Sequence, residues 1–316
     1  MDVTLTGLLN EIRRYGSIPN TAVTGSQDTD MVAYLNRNLM SCASEVIKCR
    51  EGFMRRYKDH TLVSGQTRYR IPTRAIGNRL DAVLFLDSAG KVLRKLDEVP
   101  YGVVSNFRNV TDTMGYHLEA GDVVLTPIAP TGQVATIRMV YYIRPAEIVD
   151  SLDEASGSCF TVTAVAGNVL TLMASHGLTT GTKIDIMKGG PPFEYLSVDE
   201  NPSAVGASTV TVADGSRVEV GDYVCKADKA PIAQVPDVFY PVLAAMAAQE
   251  YWLALGDGKE VDRLEMMLWG ESRERNNGMI GQAKAIISPR VEEGAKKIMS
   301  PYGVMGALWG PARRVY

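Results

Sequence analysis

The chain is poor in the residues that usually carry catalysis or bind metals: 316 residues contain three histidines and four cysteines. His60, His117 and His176 are scattered, and none is read as having a His, Cys or carboxylate partner at ligand spacing on its own element. Cys42, Cys49, Cys159 and Cys225 fit no zinc spacing. Cys42 and Cys49, seven apart in a helical pattern, share a face but lie two turns apart, too far to bridge. Buried free thiols in a chain made in a reducing cytoplasm are the expected reading. Long apolar runs are also missing: none approaches the ~18 residues that span a bilayer. The opening Met-Asp-Val-Thr-Leu-Thr-Gly has neither the basic nor the apolar region of a signal peptide, so no membrane is expected as a partner. There is no excess of charge of one sign. Lys and Arg number 33 against 36 Asp and Glu, a net of −3, which excludes the dense basic surface that grips nucleic acid through its phosphates.

Sequence motifs for chemistry are equally scarce. Gly177-Leu178-Thr179-Thr180-Gly181-Thr182-Lys183 falls one residue short of a phosphate loop, places Thr182 between the second glycine and the lysine, and leads into a strand rather than a helix. No GxSxG or HExxH occurs. The expectation is a chain that is not an enzyme, with no catalytic residue, no cofactor and no metal.

What is present is strong patterning in a chain that is 46% hydrophobic and 22% charged, proportions of a globular protein. Leu8, Leu9, Ile12 and Tyr15 mark a short amphipathic helix over 5–15. A second helix is predicted from Asp28 to His60, on a stripe of Val32, Leu35, Leu39, Cys42, Ala43, Val46, Cys49, Phe53 and Tyr57; thirty such residues would extend ~45 Å. From Thr61 to Ile143 the period becomes two, predicting an antiparallel meander of about six strands, with hairpins at Asp87–Gly90 and Ala120–Gly121. Helical pattern returns at Pro236, breaks at Gly256-Asp257-Gly258, and resumes from Lys259 to Ile287 with an interruption at Asn276-Asn277-Gly278. A short break of this kind favours an antiparallel helical hairpin.

Between these parts, residues 151–230 read as short strands and Gly-rich turns, suggesting a small barrel or sandwich. This stretch holds five Lys/Arg and ten Asp/Glu, so it is the acidic part of the chain. Its edges, Tyr141-Tyr142-Ile143-Arg144-Pro145 and Val235-Pro236-Asp237, read as consecutive pieces of one domain. The expected fold class is α+β. The core comprises 1–150 and 231–288, in which the long N-terminal helix and the C-terminal helical hairpin form a bundle with the meander. Residues 151–230 form an inserted β module, and 289–316 an extended arm. That arm mixes Gly and Pro with aromatic and basic residues, a composition suited to docking on a partner. Tyr302, Trp309, Arg313, Arg314 and Tyr316 are its candidate docking residues.

The order of these parts resembles the head-to-tail adaptor (head-completion, connector) proteins of tailed bacteriophages. The residues that carry the resemblance are Val124-Leu125-Thr126-Pro127-Ile128-Ala129-Pro130, the Tyr141–Pro145 strand, Pro236-Asp237 and the Ala-rich helix Leu243–Tyr251. The chain departs from the family pattern by the whole 151–230 insert. The resemblance implies a structural virion protein at the portal vertex, assembled as a ring, usually of twelve copies. It also implies portal, tail or nozzle proteins as partners, and double-stranded DNA passing through the channel to ejection without sequence-specific binding. A tail or baseplate protein, or a carbohydrate-binding virion protein, is the alternative that the insert alone would permit.

Overall fold

The computed structural model describes residues 4–19, 25–99, 115–126, 136–149, 152–154, 157–190, 194–271 and 277–288. Helix α1 (Leu5–Gly16) is capped by the Thr4 side chain, which accepts from the Gly7 amide at 3.2 Å. Helix α2 (Gly25–Cys49) follows the predicted stripe, with Leu35, Leu39, Cys42, Ala43 and Val46 buried. It does not reach His60. The helical run stops at Arg50, whose φ of −141° and ψ of 77° leave the helical region, and after the single turn α3 (Glu51–Met54) the chain becomes strand β1 (Arg55–Thr61). Seven consecutive residues of β1 pair with β7 (Thr136–Ile143), and this long-range ladder overrides the local helical spacing. Tyr57, expected on the buried stripe, is 61% exposed. The 25 residues of α2 extend about 37 Å, shorter than the sequence suggested.

The predicted meander is also corrected. Its strands form two sheets. One has the order β1-β7-β3-β4, with β3 (Ala75–Leu86) and β4 (Val92–Leu96); the other has the order β2-β6-β5, with β2 (Arg68–Arg70), β5 (Gly115–Glu119) and β6 (Asp122–Thr126). Both expected hairpins form. Ala120 and Gly121 take positive φ values of 49° and 91°, the conformation that tight two-residue hairpins require. Among the described residues of these two sheets, only these hairpins join chain neighbours. β7 instead enters between β1 and β3, because its alternating Ile137, Met139, Tyr141 and Ile143 face the main core and a central position buries them best.

Residues 159–226 supply a third, seven-stranded antiparallel sheet of half-barrel form, in the order β12-β11-β15-β9-β10-β14-β13. Its strands are β9 (Cys159–Ala166), β10 (Val169–Leu172), β11 (Ile184–Met187), β12 (Tyr195–Glu200), β13 (Ala204–Val205), β14 (Thr209–Thr211) and β15 (Tyr223–Lys226). The two-residue period divides its side chains between two cores. Phe160, Val162, Ile184, Ile186 and Val224 form a cluster of their own. Cys159, Met187, Tyr195 and Cys225, on the other face, join the main cluster. All four cysteines are free, and Cys42, Cys159 and Cys225 are buried. Two strands too short to be read from the sequence, β8 (Glu147–Ile148) and β16 (Lys229–Ala230), pair in parallel where the chain enters and leaves this region.

After a short 3-10 turn at Asp237–Phe239, helix α4 (Tyr240–Leu255) runs through the middle of the helical layer, packing on α1, α2 and α5 (Gly258–Trp269). Its Ala244, Ala245, Ala247 and Ala248 are fully buried. The helix is covered along most of its length, up to the exposed last turn at Leu253–Leu255, and its alanines let the neighbours approach closely. Gly256 (φ 77°) ends α4, and the Asp257 side chain caps α5. The interruption between α5 and α6 (Met279–Ile287) starts earlier than expected, because Gly270, at a φ of 81°, ends α5 before Asn276 is reached; Lys284 of α6 pairs with Glu45 of α2.

One polar joint fastens the long helix to the strand layer. Asn36 of α2 accepts from the Ile148 amide at 2.7 Å and donates to the Ile148 carbonyl at 2.9 Å, so its amide acts as a strand partner for β8. Asn36→Ala is expected to lower stability by about 1–2 kcal/mol for the two half-buried bonds. Asn36→Asp, which keeps the acceptor and loses the donor, should cost no less, because the carboxylate then faces a carbonyl. Urea titration of the two variants checks this.

Candidate functional site

The most concentrated polar chemistry lies where the half-barrel meets the main core. Asp185 interrupts the apolar run Ile184-Asp185-Ile186-Met187, and register places it opposite Cys225, which is opposite Cys159. All three lie in one row on the face turned toward the core. Arg74, between β2 and β3, meets this row. Its Nη1 donates to Asp185 Oδ2 at 2.5 Å, and both side chains are fully buried. Its Nε lies 2.7 Å from Asp228 Oδ1, and its Nη2 donates to the Arg144 carbonyl and to the Tyr195 hydroxyl, each at 3.1 Å.

The surrounding groups complete the network. Asp185 accepts from the backbone amides of Asp199 at 2.9 Å and Asp228 at 3.1 Å. The Tyr195 hydroxyl accepts from the Ala146 amide at 3.0 Å and donates to Gln234 Oε1, also at 3.0 Å. At the rim, Arg144 Nη2 reaches Asp228 at 3.0 Å, and Lys229 pairs with Glu147 across the β8–β16 ladder. Five segments therefore converge on one guanidinium: 72–75, 144–147, 185, 195–199 and 228–234.

Burial shapes the charge states. It pushes the Asp185 carboxyl above its ordinary value, while Arg74 and the two amides draw it back down. Burial also raises the Tyr195 phenol. The guanidinium is the opposite case: burial works against its charge, but Tyr195, Asp185 and Asp228 outweigh that and hold it firmly protonated. The cluster thus has a permanent cation, a carboxylate fixed against it and a phenol kept neutral. Both terminal nitrogens of Arg74 are hydrogen-bonded within the network and its Nε is met by the charge of Asp228, so the arrangement serves as a fastening.

The other candidates read from the sequence are spread out. His176 Nδ1 accepts from the Leu178 amide at 3.3 Å and its ring packs edge-on against Phe160. Gly177–Lys183 forms a turn leading into β11, as expected. His117 corrects one expectation: it lies 3.9 Å from Glu119, two residues further along the same strand. Among the described residues no group of three His, Cys, Asp or Glu could hold a metal ion, and no helix is long and apolar enough to cross a membrane. Tyr302, Trp309, Arg313, Arg314 and Tyr316 lie outside the described residues, as do Pro127–Pro130 of the first resemblance motif. Arg144, from the second motif, sits at the junction.

Residues 3–170 match the family model of the SU10 adaptor protein. The chain belongs to this family. SU10 adaptors are a phage head-to-tail adaptor family, which makes the chain a phage adaptor, a structural component of the virion, and implies portal and tail proteins as its partners. The match spans α1 through the first residues of β10, so it includes α2, both smaller sheets and Arg74. No curated protein is similar enough to the chain to count as a match.

The sequence reading passed over Arg74, Asp185, Tyr195, Asp228 and Gln234. One signal was available: a lone carboxylate within an Ile-Asp-Ile-Met strand is affordable in a core only with a cationic partner.

The two halves of the buried pair should respond differently to removal. Asp185→Ala takes the buried carboxylate from a guanidinium that cannot release its proton, leaves it only the partly exposed Asp228, and is expected to cost about 3 kcal/mol. Arg74→Met leaves a carboxyl that can take up a proton, so it should cost less. Its folded-state pKa then lies well above its unfolded value, so the folded form holds the extra proton. Stability of Arg74→Met relative to the parent should therefore be greatest below the ordinary carboxylate range and fall as pH rises toward neutrality. Thermal unfolding from pH 4 to pH 8 measures this; a flat difference between variant and parent would disprove the assignment.

Proposed function

We propose that the chain forms a closed ring beneath the portal, joins capsid to tail, and leaves a central channel for the genomic DNA. The observation that carries the reading is the family match over residues 3–170. A ring is built from two different faces on each subunit, and the protein has both a helical layer and sheets to offer as such faces. A net charge of −3 suits a channel that DNA must slide through, since a basic lining would retain phosphates. In this reading the helices act as a single bundle around α4.

Residues 151–230 are, in the same proposal, an accessory module set into the adaptor core. Three observations support it: the chain enters and leaves through the adjacent strands β8 and β16, the half-barrel has a hydrophobic cluster of its own, and the segment is acidic, with ten Asp/Glu against five Lys/Arg. The arm 289–316 is the docking element, with Tyr302, Trp309 and Tyr316 as anchors and Arg313 and Arg314 meeting acidic groups on the portal or on the neighbouring subunit.

Electron microscopy of the purified protein mixed with its portal tests the proposal. Rings stacked coaxially on the portal are the expected outcome. Deletion of 289–316 should leave the melting temperature unchanged and abolish stacking; unchanged stacking would refute the role of the arm. Particles that remain single in the presence of portal would refute the ring.

A further inference from the structure

Two strands of this fold turn an unpaired edge toward the same cleft. β1 ends the four-stranded sheet, with β7 as its partner, and β12 ends the half-barrel, with β11 as its partner. Between them is a cleft of about 410 Å³, lined by residues 55–58 on one wall and 194–199 on the other, with Pro72, Tyr141 and Arg217 completing it. That volume falls within the range of ligand sites. Unpaired strand edges carry rows of N–H and C=O groups that template another strand, and a strand added to β1 at about 4.8 Å would lie inside this space.

Arg56 gives the cleft its preference. Its guanidinium donates to the Arg55 carbonyl at 2.8 Å and, across the cleft, to the Tyr195 carbonyl at 3.3 Å. Both are neutral oxygens. Among the described residues it makes no ion pair with a carboxylate: Arg55 is taken by Asp81 at 2.5 Å, and Glu194 by Arg217 at 3.1 Å. Burial works against the charge of Arg56, with Glu194 opposing that only in part. Lys58, two residues along β1, is exposed. A half-buried cation bonded only to carbonyls is one that an incoming carboxylate would stabilise. A phosphate backbone suits the cleft less well, because Glu194 and Asp199 on the facing wall would repel a run of negative charges, whereas one acidic side chain flanked by neutral residues avoids them.

We propose that this cleft is a strand-addition site, in which an extended segment of a neighbouring virion protein pairs with the open edge of β1 and sets an Asp or Glu against Arg56. The adaptor reading supplies only the setting in which a neighbour is found. The preference for an acidic strand is a property of the chain alone, and it can fail or hold independently of ring formation.

The test uses the full chain and three acetylated, amidated heptapeptides: one alternating threonine and valine around a central glutamate, one with lysine at that position, and one repeating the glutamate sequence with an N-methylated backbone. The glutamate peptide should slow hydrogen–deuterium exchange at backbone amides of 55–61, and the other two should not. Arg56→Ala and, independently, Lys58→Glu should each weaken its binding about tenfold or more, the loss of one charge-assisted contact, without moving the melting temperature. The proposal is overturned if no peptide protects these amides at millimolar concentration, if the lysine peptide protects them equally, or if Arg56→Ala binds unchanged. Protection of the same amides by a short DNA duplex would overturn it too, by assigning the cleft to nucleic acid.

Discussion

A guanidinium with no access to water must find its whole solvation shell in the protein, and Arg74 finds it by drawing together segments far apart in the chain. Asp185 comes from the half-barrel, the Arg144 carbonyl from the residue after β7, Asp228 from the turn before β16, and Tyr195 brings with it Gln234 and the Ala146 amide. Desolvating such a cation is expensive unless every donor is met, so these segments are constrained to one relative position. Two cores that could otherwise slide past each other, one under the helices and one inside the half-barrel, are held in register by a polar contact at their boundary. Apolar packing alone is less selective, since many arrangements bury a similar area.

That boundary explains which parts of the fold the sequence disclosed. Patterns that depend on residues close in the chain were readable: the stripe of α2 as far as Val46, the hairpins at Asp87–Gly90 and Ala120–Gly121, the helical break at Gly256, and the short-stranded character of 151–230. Features decided by distant partners were not. Phe53 and Tyr57 continue the helical spacing, yet β7 claims residues 55–61 as a strand. The six predicted strands divide into two sheets for the same reason, because pairing order is set by which strand best covers the core. β8 and β16 have two residues each, too few for any period, and exist only because they meet each other.

The junction was even less visible. Its members lie in five separate segments, and no local rule joins Arg74 to Asp185, 111 positions away. The family resemblance, by contrast, was legible because it depended on the order of elements, and order survives errors in individual boundaries. The acidic segment, 151–230, supplies one wall of the cleft between β1 and β12. Its acidic residues and the basic residues of β1 face each other there, so the contrast in charge between insert and core becomes a local electrostatic feature.

The packing of α4 on α1 and α2 carries a consequence for synthesis. Arg37 and Asn38 of α2 bond to Glu250, more than two hundred positions later, and Trp252 bonds to the carbonyl of Gly16. The first two helices emerge from the ribosome long before the helix that covers them exists. Until residues 240–255 arrive, the buried stripe of α2 has lost its principal cover, and the slow closure of long loops must precede the final packing. A nascent adaptor is therefore a chain whose beginning waits for its end, and the half-barrel, whose strands lie within about seventy residues of one another, is free to condense first.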